Sequence, residues 1–536
     1  MNSVAEDSSP PGIGAWLATC VFVATAAVIA AAVGTARVHP LLQSDAGAYL
    51  TIGSLLLRGY RLYDEVFEAK DPAFLYMNAL GQWLFGVRGP AIGEVAVLSI
   101  AGVAGASYLR ARGIGRAISL IVAALVVLAL TPDSGAYAFA PALSHTWGMS
   151  AAFIGIVCAL RRWWGAAGAL VVLAALLEFR NAPIALAVGA ALVVVSTDPR
   201  RSGRRYLIGL GSAAAGAALF LGIREELSQY LHLFEFNFEH LQIGLRALDR
   251  GNRRGLIAET ADGMVEVART APLLVAVTTL VLVTSLAVLI YMTIRRSRDD
   301  EPRSPFARFT TTVQGESLEA ILAALVASIL TLPAVGATFL WVHHLQPLGL
   351  VCALALIAGV DFLGRRGMRR GARAVVLVIL VPALLLVGLS RSTVSVDLDL
   401  WREALTSPPA DALNRAASGR RSVEYAMAGD LFHELGHAAF TDEQLHFSCD
   451  LVYQHPWDRE RFDDYVDCLQ RTPDLVLYTS YDEGLRRTFP RYETLRLRVE
   501  RVLAGCFERV PSRAEPTYKV FERRRACVED ADVSEP

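Results

Sequence analysis

Long apolar runs separated by short polar stretches dominate the first 390 positions of the chain. About eleven of these runs reach or approach the roughly 20 residues that a helix needs to cross hydrocarbon. The pattern predicts spans near 13–33, 92–109, 115–131, 141–160, 164–178, 183–197, 206–223, 272–294, 318–336, 346–363 and 373–390. The sequence therefore predicts a polytopic α-helical membrane protein.

The pattern changes after position 390, where apolar positions follow the shorter periods of a water-soluble α/β domain. Helices are predicted at Leu400–Leu405, Ser422–Phe440, Phe462–Leu469 and Leu495–Ala504. Strands are predicted at His446–Gln454, Leu475–Thr479 and Thr517–Arg523. We therefore divide the chain into a transmembrane domain at 1–390 and a small α/β domain at 391–536.

Composition and charge agree with this division. The chain is 54% hydrophobic and 19% charged, whereas a soluble domain carries about 25% charged residues. From Arg391 onward 27 acidic and 20 basic residues give −7, and the remaining 25 acidic and 31 basic residues give +6. A basic membrane part with an acidic tail does not fit a nucleic-acid partner, whose binding surface clusters basic charge on one face.

Arginines predict the orientation, since short loops rich in basic residues face the cytoplasm. They follow every second predicted span, in the loops near 110–116, 161–162, 200–205, 295–298 and 365–370. The N-terminus is then cytoplasmic, and the loops 34–91, 132–140, 224–271 and 337–345 face outward together with the tail. The sequence thus predicts a multi-pass protein of the plasma (inner) membrane with an extracytoplasmic C-terminal domain.

The cysteines support an exported tail. Cys449, Cys468, Cys506 and Cys527 all lie after position 390, and the other three cysteines lie in apolar runs. An even number of cysteines in an exported block indicates disulfides. Of the three possible pairings, the one between sequence neighbours joins Cys449 to Cys468 and Cys506 to Cys527. Free thiols or a zinc site remain the alternatives.

The first predicted outer loop, 34–91, carries most of the candidate chemistry. It is too polar to span a membrane, and a loop of this length is usually functional or disordered. Two amphipathic stretches, up to Leu57 and at Phe74–Phe85, frame a polar hairpin. Amphipathic helices of this kind lie at a membrane surface. The loop is therefore predicted to hold the active site against the membrane.

The order of short motifs in this loop resembles the GT-C superfamily of membrane glycosyltransferases. Asp45 follows the first span and precedes Tyr49; Leu56–Asp64 reads Leu-Leu-x-Gly-x-x-x-Tyr-Asp; Lys70–Pro72 reads Lys-x-Pro; and Leu84–Gly86 closes the second amphipathic stretch. The resemblance is greatest to bacterial relatives of protein O-mannosyltransferases and of the aminoarabinose transferase acting on lipid A. The local match covers 44–86, and the arrangement of spans matches over the whole chain.

The resemblance implies an inverting transfer of a sugar from a polyprenyl phosphate to an acceptor outside the cytoplasm. A carboxylate at the membrane boundary can deprotonate the acceptor hydroxyl, because partial burial raises its pKa. Asp45 is the candidate base; a helix N-cap is its alternative role. The developing charge on the leaving phosphate needs a cation. Lys70 is the candidate, with a salt bridge to Glu68 or Asp71 as the alternative.

Other polar residues are candidates for the same site. Asp64 and Glu65 are candidates for positioning the acceptor, or are solvated loop residues. Arg180 is a candidate second phosphate contact or an internal partner of Glu178. His343 and His344 precede a proline where the family often has a histidine near the donor pocket. His145 is a weaker candidate. The acceptor class (glycan, lipid or protein) and the need for a divalent metal ion stay open.

A rival motif lies in the tail, where His433-Glu434-Leu435-Gly436-His437 spells HExxH. On a helix this pattern puts two imidazoles on one face to bind zinc, with the glutamate as base. A membrane-anchored zinc metallopeptidase using His433 and His437 is therefore an alternative function, and an ordinary amphipathic helix is the alternative structure. A transporter would predict internal repeats, which the sequence lacks.

Overall fold

The computed structural model describes part of the chain: residues 20, 23, 44–63, 70–86, 89–130, 144–233, 263–265, 267–269, 272–297, 304–315, 318–338, 347–365, 423–426, 466–478, 490–510, 519–524 and 527. The predicted first span contributes only the helical positions 20 and 23 to this set. The predicted last span at 373–390 lies outside it.

Helices make up nearly all of the described chain up to residue 365. They are α1 Ser44–Leu57, α2 Pro72–Phe85, α3 Gly89–Ala111, α4 Arg116–Leu130, α5 Ser144–Leu160, α6 Trp164–Leu177, α7 Ala182–Val194, α8 Pro199–Ile223, α9 Pro272–Ser297, α10 Pro305–Gly315, α11 Glu319–Thr338 and α12 Pro347–Arg365. The predicted spans between 92 and 363 coincide with α3–α9, α11 and α12. A 3-10 turn at Phe179–Asn181 separates α6 from α7.

The helix α8 begins earlier than its apolar run. The run predicts a start at residue 206, whereas α8 starts at Pro199. The Asp198 carboxylate accepts a hydrogen bond of 3.0 Å from the Arg201 amide and so caps the helix. The basic loop at 200–205 therefore forms the first turns of this helix.

Four of the described helices are long and apolar enough to cross a membrane by length and composition: Ile92–Ala111, Pro199–Ile223, Val275–Arg295 and Pro347–Gly364. The other predicted spans in this part of the chain are shorter apolar helices of 10–17 residues. The protein is thus a helical membrane protein.

Small residues set the packing between α6 and α8. A Cβ added at Gly168 would overlap the carbonyl of Tyr206, and one added at Gly209 would overlap the carbonyl of Gly165. Close approach of backbones at glycines is typical of helix packing in membranes, where small residues permit tight van der Waals contact. This packing joins the first half of α8 to the start of α6.

One end of the helical part is held by a cluster of arginines and carboxylates, which we call the arginine end. Arg112 lies 3.2 Å from Asp361 and 3.5 Å from Glu319. Arg162 lies 2.7 Å from the other oxygen of Glu319, and Tyr108 donates a 2.7 Å hydrogen bond to Asp361. Two predicted cytoplasmic loops, near 110–116 and 161–162, therefore meet at the same end.

The described residues of the tail form a small mixed sheet. Its strands are β1 Val423–Ala426, β2 Leu475–Tyr478, β3 Phe507–Val510 and β4 Lys519–Arg523, in the order β1-β2-β4-β3. β1 pairs parallel with β2, and the other two pairings are antiparallel. The helix α13 Pro490–Cys506 leads directly into β3 and shares an apolar cluster with β2.

The sheet confirms two predicted strands and corrects one predicted helix. β2 and β4 agree with the predictions at Leu475–Thr479 and Thr517–Arg523. The prediction of a helix from Ser422 is wrong at its start, where β1 lies. The four residues of β1 alternate too briefly to give a strand signal, and their pairing partner is about fifty positions away; such tertiary pairing overrides local propensity.

The disulfides of the tail agree with the predicted neighbour pairing. Cys506 is bonded to Cys527. Cys468 is also disulfide-bonded, and its predicted partner, Cys449, lies outside the described residues. Among the described cysteines, Cys20, Cys158 and Cys352 form no disulfide.

Candidate functional site

The helices α1 and α2 run in the same direction and are not antiparallel. The rings of Tyr49 and Phe74 are 4.9 Å apart, and the Ser54 hydroxyl donates a 3.0 Å hydrogen bond to Gln82. Contacts therefore advance in the same direction along α1 and α2. The first turn of α1, which contains Asp45, and the first turn of α2, which follows Lys70, consequently lie at the same end of the pair.

The N-terminus of α2 has the predicted proline at its first position, and Asp71 occupies its N-cap position. An aspartate there usually caps its own helix, but the Asp71 side chain makes no capping bond. Lys70 is partly exposed. Within the part of the chain that the structure describes, its ammonium forms no ion pair. Of the two predicted salt-bridge partners, Asp71 is therefore not one, and Glu68 lies outside the described residues.

Asp71 instead joins α2 to two other segments. Its carboxylate accepts a 2.9 Å hydrogen bond from the Phe179 amide and a 3.0 Å bond from the Tyr230 hydroxyl. Burial, with the nearby charge of Glu178 as the second cause, raises the pKa of Asp71 to about 7. The two hydrogen bonds and the charge of Lys70 oppose this rise.

The break between α6 and α7 supplies further charges to this end. Glu178 is buried, and its two oxygens lie 3.4 Å from His145 Nδ1 and 3.5 Å from Arg180 Nε. The predicted internal pair of Arg180 and Glu178 is therefore present. Two guanidinium nitrogens of Arg180, Nε and Nη1, are buried without a hydrogen-bond acceptor among the described residues. Such donors remain available to an anionic ligand.

The helix α5 approaches this break closely. A Cβ added at Gly148 would lie 2.6 Å from Glu178 Cβ and 3.0 Å from Asn181 Nδ2, so only glycine fits there. The first turn of α5 thus joins those of α1 and α2 at one end of the molecule, which we call the Lys70 end. Helix N-termini carry partial positive charge and favour anions.

Sequence reasoning missed a third element of the site, the segment that follows α8. Glu226 is fully buried; its carboxylate accepts hydrogen bonds from the Leu62 amide at 2.9 Å and from the Tyr76 hydroxyl at 2.6 Å. This segment lies within the predicted outer loop 224–271. The signal that could have found it is the charged triplet Arg-Glu-Glu immediately after an apolar run.

Several predicted site residues lie outside the described part of the chain: Asp64, Glu65, His343, His344, His433 and His437. Asp45 is described only as a position in the first turn of α1, a helix that begins at Ser44. The described residues contain no group of three or more histidine, cysteine or acidic side chains arranged to hold a metal ion.

Comparison with known proteins supports the architecture. No family model and no curated protein sequence matches the chain. Among solved structures, the chain is similar to ArnT from Cupriavidus metallidurans, solved with undecaprenyl phosphate bound. The identity is 14% and the TM-score 0.50, and the likeness covers 98% of this chain and 100% of that one. The chain has the GT-C fold.

A second structure with the GT-C fold was also found. It is the oligosaccharyltransferase AglB from Archaeoglobus fulgidus, solved with an inhibitory peptide and a dolichol-phosphate. The identity is 11% and the TM-score 0.41, with coverage of 95% of this chain and 74% of that chain. The GT-C fold is the one that the motifs of the first predicted outer loop imply.

Proposed function

We propose that this protein is a glycosyltransferase that moves a sugar from a polyprenyl-phosphate donor to an acceptor at the outer face of the membrane. Asp45 deprotonates the acceptor hydroxyl, and Lys70 contacts the phosphate that leaves the sugar. Attack from the face opposite this phosphate inverts the anomeric carbon. The proton leaves with Asp45, and the electron pair of the broken bond stays on the phosphate oxygen.

The observation that carries the proposal is the position of Lys70 and the absence of an ion-pair partner for it among the described residues. Lys70 directly precedes Asp71, the N-cap residue of the helix α2, whose first turn lies at the same end of the molecule as those of α1 and α5. A lysine is a compact charge suited to phosphate, and helix N-termini add to its attraction for anions. The parallel packing of α1 and α2 brings Asp45 to the same end, as a base acting on the same bond requires.

Further residues complete the proposed site. Arg180 serves as a second phosphate contact through Nη1, which lacks an acceptor among the described residues, while its Nε stays near Glu178. His343 and His344 contact the donor, and Asp64 and Glu65 position the acceptor. The ArnT structure holds undecaprenyl phosphate, which supports a polyprenyl phosphate as the lipid carrier here.

The proposed topology follows the arginine loops. The arginine end faces the cytoplasm, and the Lys70 end faces outward together with the domain at 391–536. Disulfides in the tail support this orientation, because they persist in oxidising compartments. The tail domain then lies on the side where the acceptor is found.

Native mass spectrometry of the detergent-purified protein tests the proposal. We expect a co-purifying polyprenyl phosphate or its sugar conjugate, and the mass of the conjugate identifies the sugar. Lys70→Met should lose this lipid. Lys519→Met is the matched control, since these are the two lysines of the chain, and it should retain the lipid. Asp45→Asn should keep the conjugate bound but abolish its transfer in membranes.

The opposite outcome is equally specific. One tightly bound zinc ion, no lipid, and loss of activity in His433→Ala would overturn the transferase in favour of the metallopeptidase. Transfer at the wild-type rate by Asp45→Asn membranes would exclude Asp45 as the base and leave the donor assignment to Lys70.

A further inference from the structure

The segment 224–233, which we call the clasp, follows α8 and consists of a non-helical part at 224–226 and a helical stretch at 227–233. The clasp contacts the start of the first-loop hairpin at 60–63. Tyr63 and Glu225 have positive φ angles of 70° and 62°. Such angles are uncommon for residues other than glycine and persist where surrounding contacts hold them. The two segments are therefore held in an unusual backbone conformation where they meet.

Glu226 forms the first attachment. Its carboxylate has no exposed surface, and it holds the Leu62 amide and the Tyr76 hydroxyl at 2.9 and 2.6 Å. Arg224 lies 3.4 Å from this carboxylate and donates a 3.1 Å hydrogen bond to the Tyr60 carbonyl. A buried carboxylate with these partners ties the hairpin and α2 to the clasp.

Tyr230 forms the second attachment, directly beside Lys70. Its hydroxyl donates to Asp71, and its ring stacks on Tyr63 with centroids 5.8 Å apart. The Tyr63 hydroxyl in turn donates a 2.8 Å hydrogen bond to the Lys70 carbonyl. Burial, followed by the charge of Asp71, raises the pKa of Tyr230 above its usual value, so the hydroxyl keeps its proton as a donor.

We propose that the clasp positions Lys70 for the lipid phosphate, with Glu226 and Tyr230 as the positioning residues. The inference rests on the proposed function, because it assumes that Lys70 contacts phosphate. The lysine side chain is flexible, but its carbonyl and the next side chain are both fixed by contacts that lead to Tyr230. Fixing the backbone before binding lowers the ordering cost of the contact.

The clasp acts on the site of the lipid phosphate and not on the site of the polyprenyl chain. Neither Glu226 nor Tyr230 is available to bind the ligand directly through its polar atoms, since each is engaged within the protein. Loss of either should therefore weaken recognition of the phosphate and leave recognition of the polyprenyl chain unchanged.

The test measures the affinity of the full-length protein in nanodiscs for undecaprenyl phosphate and for undecaprenol, which lacks the phosphate. Tyr230→Phe removes the hydroxyl and keeps the ring on Tyr63. We expect about a ten-fold loss of affinity for undecaprenyl phosphate, the size of one hydrogen bond to a charged group, and no change for undecaprenol. Glu226→Gln should show a smaller loss of the same kind.

Glu225→Gln is the matched control. It makes the same chemical change at the adjacent residue, whose side chain is 77% exposed and pairs with Arg61 at the surface. We expect its affinity for both lipids to equal that of the wild type.

A double variant separates positioning from general damage. If Tyr230 acts through Lys70, Tyr230→Phe should have no further effect on phosphate affinity in a Lys70→Met background. Equal losses in both backgrounds, or equal losses for both lipids, would overturn the inference while leaving the proposed function intact. A wild-type protein that binds both lipids equally would overturn the two together.

Discussion

Glu319 at the arginine end and Asp71 at the Lys70 end are two buried carboxylates with different partners. At the arginine end, Arg112 and Arg162 each meet a carboxylate, and Glu319 serves both. At the Lys70 end, Asp71 accepts hydrogen bonds from the Phe179 amide and the Tyr230 hydroxyl. Two other buried carboxylates there have mixed partners, since Glu226 combines neutral donors with Arg224 and Glu178 pairs with Arg180. Lys70, beside them, has no ion pair among the described residues.

We take this difference to separate a structural role at the arginine end from a ligand-binding role at the Lys70 end. The charge of a carboxylate shared by two arginines is balanced within the protein, so this cluster needs no ligand. A carboxylate bonded to neutral donors leaves the neighbouring cation available. The second arrangement stabilises the packing of helices less, but it leaves a positive charge that can bind an anion. We therefore expect substitutions at the arginine end to change stability and substitutions at the Lys70 end to change ligand affinity.

The largest expected effect is on affinity at the Lys70 end. Lys70→Met should lower affinity for undecaprenyl phosphate by about 100-fold, since hydrogen bonds to charged groups are worth roughly 1.5–3 kcal/mol. The Tm should not change, because no ion pair with a described residue is lost. Ligand titration and thermal unfolding of the same preparation check this. A fall in Tm with unchanged affinity would reverse the assignment of this end.

The next effect is on stability at the arginine end. Glu319→Ala leaves two arginines without their shared carboxylate and should destabilise the protein by about 2 kcal/mol, less than a fully buried pair because Arg162 is partly exposed. Affinity for undecaprenyl phosphate should equal that of the wild type. Glu225→Ala, at an exposed pair, is the control and should stay within about 0.5 kcal/mol. Thermal unfolding distinguishes the two.

A smaller effect concerns pH. The pKa of Asp71 is raised from its ordinary value of 3.8 to about 7, so the fold favours the neutral acid. Its stabilising contribution is full below 3.8 and is lost as the pH rises through about 7. The side chain of Asp71→Asn cannot ionise. The Tm of this variant should therefore rise relative to the Tm of the wild type as the pH is raised from 4.5 to 8.

The smallest expected effect separates two arginines. Arg180→Lys keeps a charge near Glu178 but loses the planar fork, and should lower affinity for undecaprenyl phosphate by about five-fold, within the range for one hydrogen bond. Arg161→Lys makes the same change near the arginine end, where Arg161 stacks on Trp163, and should leave affinity unchanged. Equal losses of affinity in Arg180→Lys and Arg161→Lys would show that binding at the Lys70 end does not require a guanidinium.

Much of the fold was readable from the sequence because its signals are local. An apolar run long enough to span a membrane needs no knowledge of its neighbours, and α3–α7, α9, α11 and α12 appear where such runs occur. The exception in the tail, β1, depends on a partner about fifty positions away. A four-residue strand carries too little pattern of its own to be recognised without that partner.

The candidate site was readable only in part. Arg180 and Glu178 stand out because a charge between two apolar runs is costly unless it has a use, and Lys70 stands out as the lysine of the Lys-x-Pro motif. Asp71 was considered only as an alternative salt-bridge partner of Lys70, beside Glu68, yet it bonds to Phe179 and Tyr230. Glu226 and Tyr230 were not found at all, since nothing in a single sequence shows that residues more than 150 positions after the hairpin return to contact it.

The sequence by itself determined that this is a helical membrane protein, which loop carries its motifs, and which cysteines can pair. Each of these rests on hydrophobicity, charge or spacing within one short segment. Tertiary structure decided that α1 and α2 run parallel and that the clasp closes on the hairpin. It also decided that Lys70 forms no ion pair with Asp71, whose carboxylate instead accepts hydrogen bonds from Phe179 and Tyr230. These outcomes depend on which buried donors and acceptors satisfy one another across distant segments, and only the packed chain fixes that choice.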